Sequence, residues 1–296
     1  MINFFSRLFT SAAPLAIASA GALFTELAGV LGIFTEGFMC AGAFFAWTVT
    51  LKTGSALLGT AASAFGAAFI GWALARFVRK TGANPFIAGL AVNISAAGIT
   101  DSLSLMWFGT KGVIRNPSFA MPGQYSIPLI KDIPYLGLIV SGHSLSVYCS
   151  WIIVILAAIF IVKTPWGMRL RASGLSPEAA KERGIQPGLY REAAWAASAF
   201  LAAIAGAFLC FSVGAYTPGG IAGRGWISLA AVYLGFRNAG GVFIASLVFA
   251  LAEMAGQNLQ GISGIPATIL LGLPNALALL LYVISQFIRK QRAVKN

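Results

Sequence analysis

The chain is poor in charge: 9% of its 296 residues are Asp, Glu, Lys or Arg, and only eight of those are acidic. A soluble domain carries about 25%. It also lacks the residues that organise chemistry. There is one histidine, His143, with no positioned partner visible in the sequence, and three cysteines, Cys40, Cys149 and Cys210, far apart and inside apolar runs. Such cysteines are buried small hydrophobes, with no metal or disulfide spacing. No GxxxxGK[ST], HExxH or GxSxG pattern occurs, so the chain carries no phosphate-binding loop of its own and no catalytic residue is nominated. A convincing small-residue cleavage site after the N-terminal MINFFSRLF is also missing, and residues 11–25 read as an uncleaved first span.

What is present is apolar. The hydrophobic share is 58% and the mean hydropathy +0.83. Long apolar runs, not short alternating segments, exclude a β-barrel and specify an all-α polytopic membrane protein, read as one transmembrane domain over residues 1–296. Runs fall at residues 11–25, 37–51, 55–77, 85–108, 145–162, 193–213, 225–234, 242–256 and 267–288. Several approach the ~20 residues a span needs and others are short. The Gly-rich stretch 24–38 reads as a broken, mostly buried crossing.

The net charge of +12 could point to nucleic acid, but the basic residues sit at the ends of apolar runs. That is the positive-inside pattern, and it excludes nucleic acid as a partner. Arg76, Arg79 and Lys80; then Lys163, Arg169, Arg171, Lys181, Arg183 and Arg191; then Arg289, Lys290, Arg292 and Lys295 mark the cytoplasmic face. The loop 109–142, with Pro117, Pro122, Pro128 and Pro134 and with Asp132 opposing Lys111, Arg115 and Lys131, is expected outside as an ordered non-helical cap. With both termini and the central break inside, parity gives about ten crossings, six before the break and four after. Eight is the alternative if both short pieces are re-entrant. The halves look loosely alike, each with a Gly-rich short segment (GVLGIFTEG; GRGWISLAAVYLG), as in transporters with internal repeats.

The polar break 163–192 holds a short helix signal: Ser176 as N-cap, Pro177 at the first position, Glu178 and Ala179 in the first turn, and Gly184 as the stop. Two turns are too short to persist alone in water. Held on the cytoplasmic side of a bundle, they make a handle for a partner protein.

Isolated polar groups are the candidates for a solute path. Glu36 is either a gate residue or an acceptor for the backbone of a broken helix, and Glu26, read nearer the outer surface, is similar. Asn93, mid-span, bonds across helices or faces a cavity, and Asp101 sits near the outer end. Arg224, between Gly223 and Gly225, either bonds helix-end carbonyls or lies on the path; Glu253 and Gln257 are packing or gate residues. Phe34, Phe38 and Trp226, beside the broken segments, are candidates for stacking on a planar or sugar-like solute. Trp47, Trp107, Trp151 and Trp166 fit the aromatic belt.

These motifs resemble a known family. ELAGVLGIFTEGFMCAGAFFA is similar to the first-half signature of bacterial ABC importer permeases of the branched-chain amino acid/ribose superfamily, in its simple-sugar and nucleoside branch. Glu36, Gly37, Met39, Gly42 and Ala43 match, while Gly32, Ile33 and Phe34 replace the usual Asn-Ile-Gly. NPFIAGLAVNI matches at Gly89, Leu90, Ala91 and Asn93. GMRLRASGLSPEAAKERGI matches at Gly167, Arg169, Leu170, Arg171, Ala172, Gly174, Pro177, Glu178, Ala179, Ala180, Gly184 and Ile185. AGRGWISLAAVYLGFRNAGG matches at Gly223, Arg224, Gly225, Ile227, Leu229, Ala230, Ala231, Val232 and Gly235.

The resemblance implies a permease paired with an identical or sister permease in the bacterial cytoplasmic (inner) membrane. It further implies a cytoplasmic ABC ATPase subunit that holds ATP-Mg, and an extracytoplasmic binding (lipo)protein that delivers solute. This chain would bind no cofactor. The break becomes the coupling loop, with Gly174, Ser176, Pro177, Glu178, Ala179, Ala180, Lys181, Glu182, Arg183 and Gly184 docking on the ATPase and Ala179 and Ala180 as a small packing face. The solute implied is a nucleoside, with riboflavin or a simple sugar as alternatives. An ion-coupled secondary transporter using Glu36, Glu26 or Glu253, and a purely structural membrane subunit, are the competing classes.

Overall fold

The computed structural model describes residues 2–116, 123–125 and 141–259. The run 267–288, the basic tail, Lys131, Asp132 and all four loop prolines lie outside the described residues. Helices α1 (Ile2–Leu27), α2 (Thr35–Thr53), α3 (Ala56–Thr81) and α4 (Pro85–Phe108) come first. After the loop come α5 (Leu145–Lys163), α6 (Pro165–Leu175), α7 (Pro177–Glu182), α8 (Pro187–Val213), α9 (Arg224–Leu234) and α10 (Ala239–Leu259). Among the described residues four two-residue strands qualify the all-α expectation. β1 (Ile114–Arg115) pairs antiparallel with β4 (Ala215–Tyr216), and β2 (Gln124–Tyr125) pairs antiparallel with β3 (His143–Ser144).

Among the described residues six helices, α1, α3, α4, α5, α8 and α10, are long and apolar enough to cross a membrane. The punctuation is legible in the chain. Gly54, Gly82, Gly109 and Gly214 close α2, α3, α4 and α8 in the left-handed conformation at φ 68° to 71°. Asn84 caps α4 by accepting the Phe86 N–H at 2.9 Å, with Pro85 at the first position.

Aromatic contacts fix direction. Phe9 of α1 touches His143 and Trp151 at the start of α5, and Phe24 touches Phe160 at its end and Trp166 just beyond. Helices α1 and α5 therefore run the same way, from the end that carries the strand ladders to the end that carries α7. The start of α1 and the break 163–192 lie at opposite ends of the bundle, whereas the sequence reading put both on the cytoplasmic face. The broken crossing expected at 24–38 is corrected too. Helix α1 continues to Leu27, and residues 28–34 are a non-helical turn, with Gly29 at φ 76°, that feeds α2. Lys52 of α2 then lies over Trp107 of α4, so α2 ends at the ladder end. Among the described residues five helices, α1 to α5, traverse the bundle before the break, where the sequence suggested six.

Helix α8 is the hub, packed on α1, α2 and α3. Its Ala-rich faces bury Ser198, Ala199, Ala202, Ala203, Ala205 and Gly206. Small residues let helices approach closely where lipid supplies no hydrophobic drive. A Cβ at Gly206 would collide with the Met39 carbonyl, and one at Gly42 with the Ala203 backbone. Backbone does not step aside, so Gly206→Val is expected to cost about 3 kcal/mol, the upper end of overpacking. It should lower the thermal midpoint in detergent, whereas Gly66→Val on α3, where a Cβ meets nothing within 4 Å, leaves it unchanged. Equal midpoints would refute the close approach of α2 and α8.

Candidate functional site: a polar latch and an exposed short helix

Two arrangements stand out, one in the interior and one at the α7 end. In the interior the starts of α2 and α9 face each other. Glu36 sits in the first turn of α2, and its Oε1 accepts the Gly223 N–H at 2.9 Å while Oε2 accepts the Gly225 N–H at 2.6 Å. These are N–H groups that the start of α9 leaves unpaired, and a carboxylate there also meets the positive end of the helix dipole. The latch needs glycine. Gly223 has φ 85°, and a Cβ on Gly225 would strike the backbone of Glu36. Of the two sequence readings for Glu36, the geometry realises the backbone acceptor, and the backbone belongs to the other half of the chain.

Asn93 extends the latch to α4. Its Oδ1 accepts the Gly37 N–H at 2.7 Å and its Nδ2 donates to the Ile33 carbonyl at 2.8 Å, clamping the turn before α2. Arg224 extends it to α10. It donates to the carbonyls of Gly220 (3.0 Å) and Ile221 (3.3 Å) and pairs with Glu253, which also accepts from Gln257 Nε2 at 3.4 Å. One polar chain thus joins α4, α2, α9 and α10. Phe34 and Phe38 pack edge-to-face at 5.4 Å, with Phe34 4.6 Å from Trp195, and both are buried. They are core, which corrects their expected place along a path. Trp226, 43% exposed, is the one of the three stacking candidates that presents a surface.

At the α7 end, Thr164 caps α6 by accepting the Gly167 N–H at 3.1 Å. A Cβ on Gly174 would collide with the Leu27 carbonyl, so α6 lies directly on the turn after α1. Ser176 occupies the N-cap position of α7 without a side-chain cap bond. The helix is closed by Gly184 at φ 76°, whose N–H reaches the Lys181 carbonyl (2.9 Å) while the Ile185 N–H reaches that of Ala180 (3.0 Å), a Schellman ending. Ala180 is buried inside this chain, so it anchors the helix and is not part of an outward face. Glu178, Ala179, Lys181, Glu182 and Arg183 are exposed.

Sequence reasoning missed three features here. Leu175, just before α7, is 85% exposed. Glu26 lies at the α7 end and not near the other surface, pairing with Arg237 at 2.6 Å and accepting from the Tyr233 hydroxyl at 3.0 Å. Buried Glu192 pairs with Arg79 at 2.5 Å, tying α8 to α3. Among the described residues no group of three or more His, Cys, Asp or Glu is placed to hold a metal.

Known proteins share this chain's sequence and shape. The family described as branched-chain amino acid transport system / permease component matches residues 4–285. The nucleoside ABC transporter permease protein NupC of Lactococcus lactis is 30% identical over 297 residues, 95% of this chain and 91% of that protein. The guanosine ABC transporter permease protein NupQ of Bacillus subtilis is 30% identical over 284 residues, 91% and 87% of the two. The putative glucose ABC transporter permease protein TsgC13 of Haloferax volcanii is 27% identical over 261 residues, 86% and 76%. The solved structure of PsaBC from Streptococcus pneumoniae in complex with Fab shares the fold at TM-score 0.56 and 15% identity, covering 98% of this chain and 94% of that one. A bundle of membrane-length helices, with a short helix exposed at one end and a family match over nearly its whole length, identifies this chain as a member of the branched-chain amino acid transport system permease family, a multi-pass transport subunit and not an enzyme.

Proposed function

We propose that this chain, as a single permease domain over residues 1–296, carries nucleosides into the cytoplasm within an ATP-driven importer of the bacterial inner membrane. The observation that carries the substrate is the 30% identity to two permeases named for nucleosides, over 91% or more of this chain. The residues 163–192 face the cytoplasm, where α7 docks on an ABC ATPase that holds ATP-Mg, and the segment 109–142 faces the delivering binding protein. By the direction of α1, its first turn is then at the extracytoplasmic end.

Helix α4 supports a second permease as partner. Only 11% of its apolar window is buried, against 83% for α1. Its open face carries Ala91, Ser95, Gly98 and Ser102, with Asp101 half-buried beside them. Polar groups on a membrane helix face protein or water, not lipid. A sister or identical permease across that face gives them both, with a solute path between.

The latch argues against ion-coupled transport. Glu36 is held by two backbone N–H groups, Glu253 by Arg224 and Glu26 by Arg237, so each of the three proposed coupling carboxylates already has a structural partner. Alternating access driven through α7 needs no tight solute site in the permease. The test is a melting screen of the partner binding protein with guanosine, other nucleosides, riboflavin, pentoses and glucose, followed by uptake into vesicles holding ATP and no ion gradient. Nucleosides alone are expected to raise the midpoint and to be taken up. Stabilisation by glucose alone would favour the sugar reading that the Haloferax relative carries, and uptake that requires an ion gradient would refute the ATP-driven one.

A further inference from the structure

Between β4 and α9 the chain enters the bundle without a helix. Strand β4 belongs to the ladder end, and α9 finishes at the α7 end, where Tyr233 bonds Glu26. Helix α9 has eleven residues, about 16 Å, so its start sits near the middle of a ~30 Å apolar core. Residues 217–223 therefore run from the ladder end to that depth as irregular backbone, with Ala222, a non-glycine residue, at φ 50°. Thr217, Gly219 and Ala222 are exposed. At this depth irregular backbone is tolerated where protein buries it or water bathes it, and not against lipid. The exposed stretch thus marks a water-filled space.

That space has a floor and two sides. Helix α2 leaves Glu36, Cys40, Ala41, Phe45 and Val49 unburied along one face. Helix α4 flanks this face, with Asn93 on the Gly37 N–H and the Thr100 hydroxyl 3.4 Å from the Cys40 sulfur. The start of α9 flanks it on Glu36, through Gly223 and Gly225. At the inner end stands exposed Trp226, whose indole packs on no other aromatic ring among the described residues. The charges at this level are quenched, Glu36 by two N–H groups and Arg224 by Glu253. A neutral wall with one open aromatic face suits an uncharged planar ring.

We infer that Trp226 selects the solute inside the permease, by stacking on the nucleobase as it passes the start of α9. The inference rests on the nucleoside reading above. Stacking needs only the π-face that every base has, and it holds the ring without the tight polar site that would slow release.

The test uses the complete importer in proteoliposomes with its binding protein and guanosine. Trp226→Leu keeps apolar bulk and removes the ring, whereas Trp226→Phe keeps a ring. Trp226→Leu is expected to lower kcat/KM for guanosine about tenfold or more, and Trp226→Phe to stay within about threefold of wild type, with basal ATP hydrolysis unchanged in both. A packing role would not separate the two. In a background of Cys40→Ser, Cys149→Ser and Cys210→Ser, Ala222→Cys should react with a charged methanethiosulfonate, while Phe69→Cys, at a position 67% exposed in mid-α3, should not. Guanosine uptake by Trp226→Phe no better than by Trp226→Leu, or an unreactive Ala222→Cys, would overturn the role of Trp226 and leave the importer reading standing. A wild-type complex that takes up no nucleoside would overturn both.

Discussion

Alanine at position 36 is expected to abolish ATP-driven uptake while the chain still inserts and still co-purifies with its ATPase. The Glu36 carboxylate satisfies two N–H groups at the start of α9, one per oxygen. Nothing else in the described structure bonds them. Stranding a buried donor costs about 1–3 kcal/mol, and more when the lost acceptor is charged. Two donors make about 3–6 kcal/mol, and at 1.4 kcal/mol per factor of ten the latched arrangement loses at least a hundredfold in population. The global fold does not share that loss, because the α1–α2–α3–α8 core is built from Ala, Gly and aromatic packing elsewhere.

Glu36→Gln sharpens the argument. The amide keeps one acceptor oxygen for one N–H and turns an NH2 toward the other, so an intermediate loss of about tenfold is expected. Gly225→Ala should behave like Glu36→Ala, since its methyl would occupy the space of the Glu36 backbone. Uptake into proteoliposomes at matched complex content, alongside ATPase co-elution, separates the cases. Wild-type uptake by Glu36→Ala would show that the latch is incidental. A solute-gate role would instead change which nucleoside is preferred and leave Gly225→Ala near normal.

The sequence showed the long helices well, because twenty apolar residues closed by Gly or opened by Asn-Pro admit few alternatives. Helix α4 was legible to the residue at both ends, 85 and 108. Helix α8 starts at Pro187, six residues before the apolar run, because its charged first turns are paid for by tertiary partners: Arg79 neutralises Glu192 and Arg191 reaches the Ala28 carbonyl at 3.3 Å. Hydropathy alone cannot see those. The stretch 24–38 misled for a related reason. Its glycines announced a break, but a seven-residue turn and a short crossing have the same composition, and Asn93, which holds the turn, is 60 positions from Ile33. That one ambiguity shifted the number of traverses before the break, the end at which α1 starts and the placement of Glu26 together. Glu36 was recognised as a residue that needs partners. The partners lie 187 and 189 positions away, and no spacing rule reaches that far.

Reversing the charge at Glu178 is expected to stop transport and ATPase stimulation with no change in the amount or melting of the permease. Helix α7 has six residues, about 9 Å, and no stability of its own. Its conformation is fixed by buried Ala180, by Pro177 at the start and by the Schellman ending at Gly184. Glu178 takes no part in that. It is exposed and makes no salt bridge among the described residues, and surface changes of this kind move stability by less than about 0.5 kcal/mol. The side chain is therefore free for another molecule. Deleting 176–184 removes the whole contact and should be equally inactive, while Gly184→Val should act through strain at φ 76°, loosening the helix without touching its outer face. The three variants separate shape from charge: Glu178→Arg keeps the shape, Gly184→Val keeps the charge, and the deletion keeps neither. If force enters at α7, all three lose coupled ATP hydrolysis, and Glu178→Lys paired with a compensating acidic residue on the ATPase restores it. Normal uptake by the deletion variant would mean that nucleotide-driven work enters this bundle somewhere else.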